Sequence, residues 1–194
     1  FGGQEWTKWA EDIRLRWNNA MDYYQREYYF DIEFQEYLQY QFIRQWRELK
    51  AYANGKGIRI IGDIPIYVAL DSADSWASPE LFRFDENRRP VKVAGCPPDA
   101  FSADGQLWGN PLYDWDYHER TGYWWWIRRM KHCFRIYDVV RVDHFRGFDE
   151  YFSIPADAAD ATLGHWEKGP GIQLFQAVRS ALGEKEIIAE DLGY

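Results

Sequence analysis

Three short runs of apolar residues, each ending in an acidic residue, dominate the hydrophobic pattern of the chain. They are residues 58–63, 139–143 and 187–190, which end in Asp63, Asp143 and Glu190. Short runs of β-branched and small apolar residues, bounded by polar residues or glycine, predict parallel strands buried on both faces. Because the carboxyl ends of parallel strands lie on one face, we expect the three acidic side chains to meet in one cleft.

Apolar residues at three- and four-residue steps predict helices around these strands. Residues 6–24 and 34–49 predict two amphipathic helices near the start, and residues 123–137 and 174–182 predict helices that lead into the second and third strands. We expect the first two helices to pack together. Their tryptophans are interpreted mainly as core residues, because apolar helix stripes pack against neighbouring elements more often than they bind ligands.

The alternation of strands and helices predicts the α/β class, with parallel strands joined by right-handed crossovers. Three parallel strands cannot close a barrel, and an open sheet of this size leaves both edge strands unpaired. The chain also stops at Tyr194, directly after a predicted strand. We therefore expect a contiguous piece of a larger (β/α) barrel.

Residues 83–116 show little periodicity and are predicted to be mostly irregular. A loop of this length inside a compact domain is usually functional or disordered. Its proline, glycine and aromatic residues favour an ordered lid or substrate-binding loop.

The composition indicates a globular chain and excludes some classes of partner. The chain has 194 residues, is 46% hydrophobic and carries a formal net charge of -8. This acidic balance argues against nucleic-acid binding, which requires a basic surface. No apolar stretch approaches the roughly 18 residues of a membrane span, and the start lacks a secretory leader pattern, so we expect a cytoplasmic protein with no membrane partner. Cys96 and Cys133 lack metal-site spacing and are expected to be reduced.

Aromatic residues make up 19% of the chain, including 11 Trp and 14 Tyr. Flat rings with polar edges suit sugars, whose C–H faces are apolar and whose hydroxyls need hydrogen bonds. Many of these rings will simply form the core, so the composition favours a carbohydrate ligand without establishing one.

The two later strand-end acids are predicted to lie in contrasting environments. Arg141 precedes Asp143 by two residues, so both side chains share one strand face and the cation should lower the carboxyl pKa, as suits a nucleophile. Glu190 follows apolar residues and has no basic residue within two positions, which should raise its pKa, as suits a general acid and base. Such a pair is typical of retaining glycosidases. A structural ion pair at Asp143 and a strand-end cap at Glu190 remain the alternatives.

Several longer motifs, taken together, resemble the 4-α-glucanotransferases of glycoside hydrolase family 77, also called amylomaltases or disproportionating enzymes. They are GDIPIYV at 62–68, the segment 95–113, RVDHFRG at 141–147, GPG at 169–171 and IAEDLG at 188–193. Their order and length extend the resemblance over nearly the whole chain.

The resemblance implies a (β/α)8 TIM barrel of the α-amylase type, with about three barrel strands present in this chain. Residues 1–57 would be a helical insertion leading into the barrel, and residues 58–194 its central part, with a lid loop at 92–116. The implied activity cleaves an α-1,4-glucan and transfers the glycosyl unit to the 4-hydroxyl of another glucan by a retaining double displacement. Glucan donor and acceptor are the implied partners, and neither a cofactor nor a metal is expected.

By the family pattern, Asp143 matches the nucleophile and Glu190 the general acid/base. The residues expected to bind substrate are Asp63, Asp99, Phe101, Trp108, Asn110, Arg141 and His144. Some relatives carry an aromatic residue where this chain has Ala100, which removes one stacking contact. A third catalytic aspartate, which follows histidine on a later strand, has no counterpart in the sequence, so we expect this chain alone to be inactive and its longer parent to be the enzyme.

Two other functions remain as alternatives. An α-amylase-type hydrolase would use the same acids, but residues 63–68 lack the histidine that amylases usually place in the equivalent motif. A non-catalytic glucan-binding module would use the aromatic residues alone, and it would not need strand-end acids in contrasting environments.

Overall fold

The computed structural model describes residues 1–190, which form an α/β fold with two sheets. The strands are β1 (Ile61–Pro65), β2 (Lys92–Cys96), β3 (Gln106–Pro111), β4 (Val139–Asp143), β5 (Glu150–Pro155), β6 (His165–Lys168) and β7 (Ile187–Ala189). A three-stranded parallel sheet has the order β1-β4-β7, and a four-stranded antiparallel sheet has the order β3-β2-β5-β6.

Seven α-helices are assigned within the described residues. They are α1 (Glu11–Arg14), α2 (Asn18–Glu27), α3 (Tyr29–Gly55), α4 (Ala73–Ala77), α5 (Trp115–Arg120), α6 (Trp124–Ile136) and α7 (Ile172–Leu182). Short 3-10 helices occur at Trp6–Lys8, Pro79–Leu81 and Phe145–Phe148. Within residues 1–190, none of these helices is both long and apolar enough to cross a membrane.

The parallel sheet confirms the predicted strand–helix–strand alternation. Its middle strand β4 is the most buried, with Val140 and Val142 enclosed in the core. Strand β1 begins at Ile61 instead of Ile58. The N–H of Ile58 donates to Ala53 O and closes the turn after α3, and that of Ile60 donates to the Asp138 carboxylate instead of extending the strand ladder.

The prediction of one long amphipathic helix over residues 6–24 is wrong. The segment divides into the 3-10 helix Trp6–Lys8, α1 and α2, with extended backbone at Trp9 and a left-handed residue, Arg16, at φ 59°. The Trp6 indole donates to Leu70 O at 2.6 Å and contacts Ser75 Oγ at 3.1 Å. These contacts of Trp6 with residues in and before α4 outweigh the preference of residues 6–24 for one continuous helix.

The second predicted helix is confirmed as α3, which is longer than its apolar stripe. Its C-terminal half is attached to the start of β4, where Trp46 Nε1 donates to Ile136 O at 2.8 Å and Lys50 Nζ to Tyr137 O at 2.7 Å. The helix also contacts α2, as expected for neighbouring helices. The helix therefore lies against the end of α6 and the residues that lead into β4.

Residues 83–116 are mostly irregular, as predicted, but they contain two strands that the pattern did not predict. These strands, β2 and β3, pair as antiparallel neighbours, and β5 pairs with the other edge of β2. A Cβ at Gly95 would lie 2.1 Å from Gln106 O, so only glycine allows this close pairing. The pairing of β2 with β3 stiffens part of the predicted loop.

The core between the sheets contains one fully buried histidine. His118, on α5, contacts Leu81 O through Nε2 at 3.2 Å, and aromatic rings of Tyr113 and Trp115 surround it. Burial lowers the pKa of His118 to about 4. The imidazole is therefore neutral at physiological pH.

Candidate active site

Arg141 binds the three strand-end carboxylates simultaneously. Its Nη1 donates to Asp63 Oδ1 at 2.7 Å and Asp143 Oδ1 at 3.0 Å, and its Nη2 donates to Glu190 Oε1 at 2.9 Å. The predicted convergence of the three acids is confirmed. Asp63, however, lies in the middle of β1 and opposite Arg141, because the strand continues to Pro65. Hydrogen bonds to Asp63 and Asp143 raise the pKa of Arg141, so the guanidinium remains a cation.

Glu190 has no basic residue within two positions in the sequence, but Arg141 contacts it from the neighbouring strand. Besides the bond from Arg141, Glu190 Oε2 accepts the backbone N–H of His144 at 2.5 Å. The Glu190 side chain is only 12% exposed. The spacing of residues along one segment gives no information about neighbouring strands. Arg141 reaches Glu190 because β4 pairs with β7 and Arg141 lies opposite Ile188. In the IAEDLG motif, residues 191–193 lie outside the described part of the chain.

His144 turns the chain sharply after β4 and forms part of the cavity wall. Its backbone is left-handed, with φ 53° and ψ 44°, which directs the N–H towards Glu190. Burial lowers the pKa of the imidazole against the opposing influence of Glu190 and Asp143, so the ring is neutral near pH 7. Within residues 1–190, its buried Nε2 has no hydrogen-bond partner.

Strand β3 brings Trp108 over the strand ends. The indole lies edge-on to the His144 ring, with centroids 4.9 Å apart, and its Nε1 donates to Gln106 Oε1 at 2.9 Å. Asn110 Nδ2 donates to Val68 O at 2.8 Å, which ties β3 to the segment that follows β1. The antiparallel sheet is thereby held against the parallel one.

A cavity of about 340 Å³ opens between the two sheets, within the range of small-molecule sites. The predicted site residues that line it are Asp99, Trp108, Asp143, His144 and Glu190. Arg141 lies outside the lining but bonds to the lining residues Asp143 and Glu190, and Asp63 bonds to Arg141. Phe101 is 99% exposed and lies outside the lining. Asp99 Oδ1 accepts the N–H groups of Phe101 and Ser102 and so closes the turn that begins at Asp99.

Sequence reasoning missed several other residues of the lining. They are Cys96, Pro97, Pro98, Gln106, Arg146 and Trp166. Burial, together with the charge of Asp99, raises the pKa of the Cys96 thiol, so Cys96 is not an activated nucleophile. Trp166 lies on β6, a four-residue strand without apolar alternation. The sequence feature that could have indicated Trp166 is its position just before the GPG motif.

The described residues give no sign of a metal centre. No group of three or more His, Cys, Asp or Glu side chains within residues 1–190 is arranged to hold a metal ion. Cys96 and Cys133 are both free thiols.

Comparison with known proteins assigns the chain to a family. The family model described as 4-alpha-glucanotransferase matches residues 1–194. The chain belongs to the 4-alpha-glucanotransferase family. A 4-alpha-glucanotransferase of Streptococcus pneumoniae is 51% identical over 195 residues, covering 100% of this chain and 39% of the relative. One of Clostridium butyricum is 50% identical over 190 residues, covering 97% and 39%.

A solved structure of the same family has the same fold over the full chain. Amylomaltase from Streptococcus agalactiae in complex with acarbose gives a TM-score of 0.96 and 46% identity, and the match covers 100% of this chain and 39% of that one. This member of the 4-alpha-glucanotransferase family therefore spans about 39% of the length of these relatives.

Proposed function

We propose that this chain is part of an enzyme that transfers a segment of an α-1,4-glucan to the 4-hydroxyl of an acceptor glucan. The observation that carries the proposal is the binding of Asp63, Asp143 and Glu190 by one guanidinium at the base of an aromatic-walled cavity. Two carboxylates at the ends of adjacent strands are the equipment of a retaining double displacement. Family membership supports the same reaction class.

In this mechanism Asp143 attacks the anomeric carbon of the donor glucan. The charge-assisted bond from Arg141 Nη1 orients the Asp143 carboxylate. Glu190 protonates the departing glycosidic oxygen and later accepts the proton of the acceptor 4-hydroxyl. The N–H donors of Arg141 and His144 hold the Glu190 carboxylate in place for the second step.

The remaining predicted residues are proposed to bind sugar. Trp108 offers an aromatic surface, Asp99 a carboxylate acceptor and His144 an imidazole Nε2. Asp63 is proposed to bind hydroxyls while fixing Arg141, and Phe101 and Asn110 belong to the segment that would cover the glucan. Protein donors and acceptors around a sugar replace the hydrogen bonds that its hydroxyls lose from water.

Transfer requires that an acceptor sugar react with the covalent intermediate before water does. Trp108 supports this preference because its indole covers the His144 ring beside Asp143 and limits access of water. Water exclusion protects the intermediate and strengthens electrostatic interactions in the site.

We further propose that the parallel sheet is part of a (β/α)8 barrel of the α-amylase type. Residues 58–194 would form its central part, residues 1–57 a helical insertion and residues 92–116 the lid, which the hairpin β2–β3 stiffens. Ile61 and Ile188, on the two edge strands, are both substantially exposed, as expected if further parts of a longer polypeptide cover these faces of the sheet. The remaining strands and a third catalytic carboxylate would then belong to a longer polypeptide.

The deciding experiment combines intact mass with a maltotriose assay on the natural polypeptide that contains this sequence. We expect a mass well above 23.2 kDa and conversion of maltotriose into glucose and a ladder of longer glucans. Glucose and maltose without longer products would indicate a hydrolase instead. Binding of glucan without any product, unchanged by Asp143→Asn, would indicate a binding module.

A further inference from the structure

Tyr67 packs against two rings of the cavity wall, those of Trp108 and His144. Its ring centre lies 6.3 Å from that of Trp108 and 6.4 Å from that of His144, within the range of aromatic pairs. Trp108 and His144 themselves pack edge to face at 4.9 Å. Tyr67 is only 6% exposed, belongs to the main hydrophobic core and does not line the cavity. It therefore reaches the two wall residues from the core.

A stack on Tyr113 anchors Tyr67 in the core. The two ring centres are 6.1 Å apart and the ring planes are inclined by 22°. Tyr113 is fully buried, and its ring packs in turn against Phe82 at 5.3 Å and Trp126 at 5.6 Å. Close packing of this kind keeps core side chains in well-defined rotamers. Tyr67 thus connects a closely packed group of aromatic residues to the cavity wall.

Hydrogen bonds to the main chain hold the segment that carries Tyr67. Arg129 Nη1 and Tyr113 Oη each donate to Ile66 O at 2.8 Å. The carbonyl of the residue after Tyr67 accepts from Asn110 Nδ2, also at 2.8 Å. The backbone is therefore tied to α6 and the core on one side of Tyr67 and to β3 on the other. These bonds fix the position from which the Tyr67 ring extends.

His144 is more confined than Trp108. A Cβ at Gly147 would lie 3.1 Å from His144 Cδ2, so the turn after β4 already fits tightly against the imidazole. Trp108 is 37% exposed, and its indole donates to Gln106, which lies on the same strand. An exposed indole keeps more rotamer freedom than a buried one. Of the two rings, that of Trp108 therefore depends more on the support of Tyr67.

The ring of Tyr67 makes the contacts with Trp108 and His144. Burial raises the pKa of the Tyr67 hydroxyl, which stays protonated at neutral pH and brings no charge to the wall. Phenylalanine keeps the same ring, whereas methionine fills the space with a flexible chain that has no flat face. A comparison of the two substitutes therefore separates support by the ring from simple filling of the core.

We propose that Tyr67 is a positioning residue that holds the Trp108 indole in the orientation in which it meets the bound glucan. This inference rests on the proposed function for its ligand class. A ring that is fixed before the ligand arrives loses less conformational entropy on binding. Tyr67 therefore contributes to glucan affinity through Trp108 and not through a contact of its own.

A double-mutant cycle in glucan affinity tests the inference. Dissociation constants for maltoheptaose are measured by titration calorimetry on the natural polypeptide that contains this sequence, carrying Asp143→Asn to prevent turnover. We expect Trp108→Ala to weaken binding about 10-fold and Tyr67→Met about 5-fold, since the first removes the ring and the second only its support. On the Trp108→Ala background, Tyr67→Met should have almost no further effect. Tyr67→Phe should keep most of the affinity.

A second measurement observes the indole directly and requires no change at Tyr67. In protein labelled with fluorotryptophan, the fluorine resonance of Trp108 is identified by its loss in Trp108→Ala. We expect one narrow resonance before glucan is added, because a ring held in one orientation has one environment. Several resonances, or one broadened resonance, in the absence of glucan would overturn the proposal even if Tyr67→Met does not fold.

The affinity cycle has its own contrary results. Equal losses from Tyr67→Met on the two backgrounds would show that Tyr67 affects glucan binding without Trp108. Unchanged affinity in Tyr67→Met, or an equal loss in Tyr67→Phe, would also overturn the proposal. Tyr40→Met and Trp17→Ala, at exposed aromatic residues outside the cavity, are the matched controls and should leave the affinity unchanged. If maltotriose is hydrolysed instead of transferred while the cycle remains coupled, the transferase proposal fails and this inference stands.

Discussion

Arg141 Nη2 and Glu190 Oε1 lie 2.9 Å apart, so the cation that binds the proposed nucleophile also binds the proposed acid/base. Three carboxylates in one cleft repel one another unless a cation lies among them. A planar guanidinium distributes five N–H donors over three nitrogens and so contacts the three carboxylates from two separate Nη atoms, whereas an ammonium group directs its three donors from a single nitrogen. The electrostatics of the site therefore depend on the identity of residue 141.

Replacement of Arg141 tests this dependence. Arg141→Lys should lower kcat for maltotriose transfer about 100-fold, because lysine keeps the charge and loses the bridging geometry. Arg141→Met should lower it further. Arg59→Gln is the matched control, since Arg59 pairs with Glu186 on the exposed side of the strands, and its rate should stay near wild type. A Lys variant with wild-type kcat would contradict the bridging role.

Trp108→Ala should raise the ratio of hydrolysis to transfer. The indole packs against His144 beside the proposed nucleophile, so its removal admits water to the covalent intermediate. We expect the ratio to rise several-fold, as measured by chromatography of the products from maltotriose. The exposed Trp17 provides the comparison, as Trp17→Ala should give the wild-type ratio. An unchanged ratio in Trp108→Ala would remove the water-exclusion role.

His118 should make the protein less stable as the pH falls below neutrality. Its pKa is about 4 in the folded protein and about 6.5 in the unfolded chain, so between these values only the unfolded state takes up the proton. The free energy of unfolding should be unaffected by His118 above pH 6.5 and fall by on the order of 3 kcal/mol towards pH 4. Urea unfolding at a series of pH values measures the loss.

The variant His118→Gln should lack this part of the pH dependence, whatever its stability at pH 7. His132→Gln, which removes an exposed histidine from α6, should retain it. Parallel curves for wild type and His118→Gln between pH 6.5 and 4 would show that His118 does not couple proton binding to folding.

Gly169→Ala should destabilise the protein and disturb the cavity. The added methyl would lie 2.3 Å from Phe148 O, so the backbone must shift at a cost of about 1–3 kcal/mol. Gly55→Ala introduces the same methyl in open space at the end of α3 and should be neutral or slightly stabilising. Chemical denaturation of both variants provides the measurement, and equal stabilities would contradict the close contact.

The sequence was sufficient for the parallel half of the molecule. Strands β4 and β7 and helices α6 and α7 follow from apolar runs and helical periodicity. The predicted burial of the strands on both faces is approached only by β4, since β1 alternates between buried and exposed residues and β7 is largely exposed. The meeting of Asp63, Asp143 and Glu190 follows from the same pattern, since parallel strands place their ends together.

The four-stranded antiparallel sheet could not be predicted in the same way. Tyr151, Phe152, Ser153 and Ile154 are all buried, so β5 shows no alternation, and β6 is short and polar. The contact of Arg141 with Glu190 joins residues 49 positions apart, and no local pattern reports on it. Trp166 and Arg146 were missed as lining residues for the same reason, because their side chains come into contact only after β6 has joined the sheet.

The left-handed backbone of His144 has a consequence for redesign of the site. The hydrogen bond to Glu190 comes from the main chain, so every residue type except proline can supply it. Most side chains resist this conformation, whereas glycine and asparagine adopt it readily. Position 144 can therefore be varied to change ligand preference while the orientation of Glu190 is inherited from the backbone, and asparagine is the first substitution to choose.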